Sequence, residues 1–256
     1  MRYITPKLRI EGRLGRQPLQ RWKVAVLGFC GRKASDGLVR ALKAKPLDYY
    51  IFYGQHVFAE SPFAYEAMIN GKNIIILTRC IWGGPQAAIL VEELAYLGIK
   101  YLVGHGRAGS IDPSLQLGQP VLASSALPTD GTTQAYFQKK VKPDSEMLNL
   151  ALEAGKRISS NLKEVTVATV DALYRETKEA VKTWRSQGAQ IINMETSPFY
   201  AASIMCDVKS VWIGYITDRL MDNWESWHWK RGEATILSET LCKELIQSVL
   251  SITKTQ

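Results

Sequence analysis

The sequence lacks several features that would assign it to a class at once. No apolar run approaches the ~20 residues of a membrane-spanning helix, and no secretory h-region opens the chain. Cysteine is scarce: Cys30, Cys80, Cys206 and Cys242 are scattered and form no CxxC pair. That excludes a zinc ribbon, and it suits a reducing cytoplasm better than a disulfide framework. His56, His105 and His228 form no HExxH motif, so neither a metal nor a metal cofactor is expected. There is no P-loop, dinucleotide fingerprint, internal repeat, low-complexity tract or linker.

What is there fits one large core. The chain has 256 residues, 46% of them hydrophobic, and a single α/β domain over residues 23–256 is expected. Residues 1–22 read as an irregular leader broken by Pro6, Gly12, Gly15 and Pro18. The net charge is +8. Residues 1–23 hold much of it: Arg2, Lys7, Arg9, Arg13, Arg16, Arg21 and Lys23 stand against Glu11 alone. Such an arm suits nucleic acid, an anionic surface, a neighbouring subunit or an anionic substrate. No nucleic-acid motif accompanies it, so that partner ranks low and no membrane partner is expected.

Strand-like and helix-like segments alternate. Lys23–Phe29, Leu47–Tyr53, a stretch near Val57, Asn73–Thr78, Lys100–Gly104, Pro120–Ser124, Val165–Thr169, Gln190–Ile192 and Lys209–Thr217 read as strands. Helices are expected over 37–44 behind Ser35 or Asp36, over 86–97 after Gly83-Gly84-Pro85, over 144–158 and 176–186, after Glu195 through Met205, and over 233–252. The fold class is a three-layer α/β/α domain with a central mixed, largely parallel sheet. Ligands on such sheets sit beyond the carboxyl ends of the strands.

Five segments carry candidate chemistry, each with a plainer reading. Asn193-Met194-Glu195-Thr196 sits where a strand hands over to a helix. Glu195 there can accept two hydrogen bonds from a vicinal diol, with Met194 as a soft apolar surface for a sugar ring; alternatively it is an acid in a first helical turn. Gly28-Phe29-Cys30-Gly31-Arg32 follows the first strand, as an anion-approaching turn or as a tight turn with a solvated Arg. Gly104-His105-Gly106-Arg107-Ala108-Gly109 reads equally as an anion cradle or as a crossing point that needs small residues. Thr217-Asp218 ends a buried strand and suits proton work, with Arg231, beside Lys230, supplying a cation; alternatively it is an ordinary strand-end Asp with a helix-start Arg. Asp171-Ala172-Leu173-Tyr174 offers walls for a flat heterocycle, or ordinary core.

Taken together and in order, these segments resemble the type I nucleoside phosphorylase family over roughly residues 24–250. Gly83-Gly-Pro-Gln through Glu92-Glu-Leu94 is similar to the family's Gly-Gly-Pro-Ser segment ending in Glu-Glu-Leu. Gly106-Arg-Ala-Gly-Ser-Ile111 is similar to Gly-Thr-x-Gly-x-Ile, Asp171–Tyr174 to Asp-x-Phe-Tyr, and Asn193–Glu195 to Glu-Met-Glu. The resemblance implies attack of phosphate on the anomeric carbon of a nucleoside, releasing base and ribose 1-phosphate. It implies phosphate at Gly28 and Arg32, with Arg107 as a displaced cation, ribose at Met194 and Glu195, and base at Leu173, Tyr174 and Asp218. Asp218 and Arg231 are the catalytic residues it implies, and they favour purine over uracil. Inorganic phosphate is then a co-substrate and no cofactor is needed. A cytoplasmic homo-oligomer, dimer or hexamer, is the expected assembly.

The chain departs from the pattern at four places. The family's phosphate Arg falls on Gly104, its Thr or Ser on Arg107, and the first Glu of Glu-Met-Glu on Asn193. The glycine run is altered at Ile81, Trp82 and Gln86. Two alternatives follow: a nucleosidase that uses water, and a nucleoside-binding relative with altered catalysis. Met221 to Trp229, with Trp224, Trp227 and Trp229, has no counterpart in the family and reads as a lid or an interface patch.

Overall fold

Ten strands form one sheet in the computed structural model, which describes residues 2–18, 20–58, 62–137, 139–226 and 231–253. In chain order they are β1 (Val24–Phe29), β2 (Lys45–Pro46), β3 (Ala64–Ile69), β4 (Lys72–Leu77), β5 (Tyr101–Ser110), β6 (Pro120–Leu127), β7 (Lys163–Thr169), β8 (Ile191–Asn193), β9 (Lys209–Leu220) and β10 (Trp224–Ser226). The helices are α1 (Pro6–Leu14), α2 (Arg32–Ala41), α3 (Gly83–Tyr96), α4 (Gly131–Gln134), α5 (Ser145–Arg157), α6 (Lys178–Ser186), α7 (Thr196–Met205) and α8 (Arg231–Ile252). The sheet order is β10-β9-β6-β7-β8-β5-β1-β4-β3-β2, and β9 also pairs with β5. Strands β5, β9, β6, β7 and β8 therefore close a ring, and β1, β4, β3 and β2 extend from it as a wing. The pairings are mixed: β1 lies parallel to β4 and β5, and β5 parallel to β9, whereas β3–β4 and β6–β9 are antiparallel.

The continuous apolar runs of β1 and β4 follow from burial on both faces. One face packs Leu27, Leu77 and Trp212 against Leu90, Val91 and Leu94 of α3 and Phe199 and Tyr200 of α7. The other packs Val26, Ile76, Val103 and Ile213 against α2, α5 and α8 through Leu38, Ala151, Leu245 and Val249. This is the expected α/β domain with helices on both sides of a mixed sheet. No helix of the described residues is long and apolar enough to cross a membrane.

Several segments differ from expectation, each for a local reason. The leader is not irregular. Thr5 caps α1 by accepting from the Leu8 N–H, Pro6 occupies the first turn, and Gly15 closes the helix in the left-handed region at φ 64°. Its basic residues engage this chain's own acids and carbonyls: Arg2 pairs with Glu92, Arg9 with the buried Glu93 at 2.8 Å, and Arg21 with Glu66, while Arg13 donates to the Phe52 carbonyl. Leu47–Tyr53 is a loop. Gln55 Oε1 accepts from the Ile51 and Phe52 amides, replacing a strand ladder with one buried amide side chain. Gln55–Phe58 is a short 3-10 turn where a strand was expected near Val57. Strand β3 went unanticipated, although Asn70-Gly71, with φ 50° and 75°, is a two-residue hairpin signal between it and β4. Helix α2 begins at Arg32, directly after Gly31, rather than behind Ser35 or Asp36.

The glycine-rich stretch 104–109 is strand throughout, not a turn. A Cβ at Gly104 would lie 2.8 Å from Trp212 Cδ1, and one at Gly214 would lie 2.4 Å from the Gly106 carbonyl oxygen and 2.5 Å from Trp212 Cη2. The small residues let the buried indole of Trp212 lie against the backbone where β5 meets β9. Gly214→Ala is therefore expected to destabilise the protein by roughly 3 kcal/mol or more, since the clash involves backbone that cannot swing away. A denaturant midpoint equal to that of the parent would refute this packing account.

Candidate active site

The carboxyl ends of β1, β5 and β9 and the segments after β7 and β8 meet at one end of the sheet. On β5, Arg107 and Gly109 are two residues apart, so they face the same side roughly 7 Å from each other. The β5–β9 register runs Arg107↔Tyr215 and Ala108↔Ile216, then jumps to Gly109↔Asp218. The extra residue is Thr217. Without this bulge Asp218 would stand opposite Ser110 and point to the other face. With it, the Asp218 carboxylate lies over Gly109, and a Cβ there would sit 3.1 Å from Asp218 Oδ2.

At one end is Glu195, only 9% exposed. Its Oε2 accepts from the Met194 N–H at 3.2 Å. Burial pushes its carboxyl up to about 8, opposed by the Met194 hydrogen bond and by the positive charge of Arg107. Arg107 reaches the β1–α2 turn, where a Cβ at Gly31 would lie 3.2 Å from its Nη2. Among the described residues no side chain caps the first amides of α2 after Gly31, an arrangement that suits an anion. Gly28 packs tightly as well: a Cβ would meet Ser35 Oγ at 3.2 Å and the Leu77 carbonyl oxygen at 3.3 Å. Met194 lies against the start of α3, its Cε 3.7 Å from a Cβ built on Gly83. Asn193 holds the turn together. Its Oδ1 accepts from the Glu195 and Thr196 amides, and its Nδ2 donates to Thr196 Oγ1 at 2.6 Å.

At the other end is Asp218. Its Oδ1 accepts from Thr217 Oγ1 at 2.9 Å, and its Oδ2 accepts from the indole N–H of Trp224 at 3.1 Å. Strand β10 places Trp224 by folding antiparallel onto β9, with Ser226 opposite Asp218. A cavity of about 1120 Å³ opens here, bounded by Leu173, Tyr174, Glu176, Asp218, Met221 and Trp224. Leu173 and Tyr174 are 55% and 95% exposed, so they are cavity rim and not core. Burial, with the neighbouring Asp218 charge adding to it, pushes the Glu176 carboxyl up to about 7.

The structure thus brings Gly28, Arg107, Met194, Glu195, Asp218, Leu173 and Tyr174 to one end of the sheet. The backbone of Arg32 and that of Arg231 begin α2 and α8; their side chains, and Trp227 to Lys230, lie outside the described residues. Sequence reasoning met Glu176 only through the resemblance, as the first of the places, 176–178, where the uridine enzymes' uracil-reading residues fall, and it overlooked Asn193 as the clasp of the Glu195 turn and the Trp224–Asp218 bond. For Asn193 a signal existed, an Asn three residues before a Thr at a helix start. The Trp224 bond depends on a hairpin that no local pattern announces.

Residues 24–251 match the model of the phosphorylase superfamily, and the chain belongs to that family. It is 32% identical over 159 residues, 62% of each chain, to an uncharacterized protein, R802, of Acanthamoeba polyphaga mimivirus. It is 28% identical over 138 residues to guanosine phosphorylase of Halorubrum lacusprofundi, covering 53% of this chain and 57% of that one. Purine nucleoside phosphorylase DeoD-type of Clostridium novyi is 26% identical over 168 residues, 64% of this chain and 72% of that one. The chain spans about three-fifths of the length of the first two. The crystal structure of Campylobacter jejuni 5′-methylthioadenosine/S-adenosyl homocysteine nucleosidase superposes with a TM-score of 0.69 at 18% identity, over 90% of this chain and 100% of that one, a likeness of fold.

The buried carboxyl has a consequence for stability. Folded, Glu195 keeps its proton to about 8; unfolded, it loses it near 4.5. Its contribution is complete below the unfolded value and is lost as pH rises through the folded one. Chemical unfolding between about pH 5 and about pH 9 should therefore show Glu195→Gln gaining a few kcal/mol on the parent as pH rises. A pH-independent difference would mean that the carboxyl ionises freely in the folded protein.

Proposed function

We propose that the protein is a nucleoside phosphorylase acting on purine nucleosides, releasing the base and ribose 1-phosphate. The observation that carries this reading is the pairing of ends: Arg107 and the α2 amides beside buried Glu195, and Asp218 on the neighbouring strand β9, opposite Gly109 and on the same face of the sheet. Membership of the phosphorylase superfamily and relatives named guanosine phosphorylase and purine nucleoside phosphorylase agree with it.

In this mechanism Glu195 accepts the two ribose hydroxyls and Met194 lies under the sugar. Gly28, Arg32, Arg107 and the first amides of α2 hold phosphate beneath the anomeric carbon. A phosphate oxygen forms the new bond to that carbon while the C–N bond breaks and its electron pair passes to the base. Asp218 delivers a proton to the purine ring nitrogen, with Arg231 setting its charge, so the base leaves neutral. Leu173 and Tyr174 flank the heterocycle. The positive charge that develops on the sugar lies over the bound phosphate, whose negative charge stabilises it.

One observation favours a second reading. Gly104 stands where the family resemblance puts a phosphate-binding Arg, and Trp212 leaves no room there for a side chain. A hydrolase using water would need no second cation, and the structural neighbour is itself a nucleosidase. Phosphate dependence separates the two. Inosine, adenosine, methylthioadenosine and uridine should release base only with phosphate, purine ribosides fastest. Equal release without phosphate would establish hydrolysis, and release from none would end the enzymatic reading.

Two variants probe the roles. Asp218→Asn should lower kcat on purine ribosides about a hundredfold or more with a smaller change in KM. Arg107→Ala should raise KM for phosphate roughly tenfold to a hundredfold with little effect on KM for the nucleoside. Equal losses of kcat and affinity in the first, or an unchanged phosphate KM in the second, would remove those assignments.

A further inference from the structure

The function proposed above leaves one motif unused, the tryptophan-bearing segment after Leu220 that has no counterpart in the family. The chain bends at residues 221–223, and β10 folds back antiparallel on β9 with Trp224 opposite Leu220 and Ser226 opposite Asp218. Paired residues share a face of the sheet, so Trp224 is the diagonal neighbour of Asp218, a separation that a long aromatic side chain can span. Its indole N–H donates to Asp218 Oδ2 at 3.1 Å, and the Thr217 hydroxyl donates to Oδ1 at 2.9 Å. Gly109 forms the floor under the carboxyl: a Cβ there would lie 3.1 Å from Oδ2 and 3.0 Å from Leu220 Cδ1.

The hairpin is braced by groups other than Trp224. Arg219 pairs with Glu225 across the two strands at 3.1 Å and donates to the Pro113 carbonyl, and Arg185 of α6 donates to the Leu220 carbonyl at 3.3 Å. The Trp224 ring is 65% exposed and lines the cavity beside Asp218. An indole left so far out of the core contributes less by burial than by what it touches.

We propose that Trp224 is a positioning residue for proton delivery, its N–H and the Thr217 hydroxyl together clasping the Asp218 carboxyl in one orientation. The inference rests on the reading of Asp218 as the group that protonates the leaving purine. An aspartate turns about two single bonds, and in an open cavity its carboxyl has several orientations. A donor on each oxygen fixes its plane, and each oxygen keeps a lone pair for a proton. As the C–N bond breaks, its electron pair passes to the base and the proton moves from Asp218 to N7, the free nitrogen of the five-membered ring. The negative charge left on the carboxyl then meets two donors already in place. An indole N–H donates and does not accept, so it cannot take that proton itself.

The test compares the full chain with Trp224→Phe and Trp224→His, with phosphate present, on adenosine and inosine and on their 7-methyl derivatives. In the 7-methyl ribosides the five-membered ring already carries the positive charge that a proton would supply, so the base leaves without one. Trp224→Phe should lower kcat on adenosine and inosine about tenfold to a hundredfold, with KM within about threefold and the 7-methyl ribosides within about twofold of the parent. Trp224→His, whose Nε2–H stands at about the same distance from Cβ as the indole N–H, should recover most of the loss at about pH 8, where imidazole is neutral. Equal slowing of both substrate sets, a loss confined to KM, or an unchanged kcat in Trp224→Phe would overturn the inference, while phosphate-dependent turnover by the parent keeps the phosphorylase reading intact. Should the parent turn over no riboside, that reading falls, and crystal structures of the parent and Trp224→Phe still decide the positioning. One orientation of the Asp218 carboxyl in the parent that becomes several in the variant supports it, and the same single orientation in both refutes it.

Discussion

The site depends on how closely β5 and β9 approach each other around Trp212. The indole is fully buried and lies against Gly104, Gly106 and Gly214, so the two strands run side by side with only backbone between them. That contact lets β5 continue straight through its glycines to Gly109 and keeps it in register with β9 until Thr217. The bulge at Thr217 then turns Asp218 onto the face that carries Arg107. A packing constraint in the core and a one-residue irregularity at its edge set the spacing between the two polar ends of the site.

Those ends differ electrostatically. At the Glu195 end a buried acid lies within reach of one guanidinium and the uncapped amides of a helix, so positive potential surrounds a carboxyl held in a nonpolar setting. At the Asp218 end carboxyls and the cations of α6 line one cavity, with the Thr217 hydroxyl and the Trp224 indole N–H donating to Asp218. A substrate bridging both would meet anion-binding groups at one end and proton-holding groups at the other. Both features come from strand ends and turns braced by packed helices, which hold polar groups more firmly than free loops do.

Much of this organisation was legible in the amino-acid pattern. The runs at Val24, Asn73, Val165 and Lys209 are long and apolar because their strands are buried on both faces, and the Asp144 and Thr177 caps fix two helix starts. Other signals were present but misread. Pro6 and Gly15 look like breakers until they are recognised as the first and last signals of one short helix, and Asn70-Gly71 marks a hairpin that the polar residues of β3 disguise. The glycines of β5 suggested a turn because their reason, an indole from residue 212, lies more than a hundred positions away. For the site, Met194, Glu195 and Asp218 were found from their places at strand ends. The Trp224 bond was not, because it depends on a register shift and a hairpin fixed only by tertiary contacts.

The closed ring of five strands has a further effect on the outer sheet. Among the described residues, the strand order ends in β10, of three residues, and β2, of two, one of them Pro46. Proline offers no amide to an incoming strand, and so short a ledge gives a foreign segment little to zip against. Amyloid-like stacking and strand exchange find few starting points on the native fold.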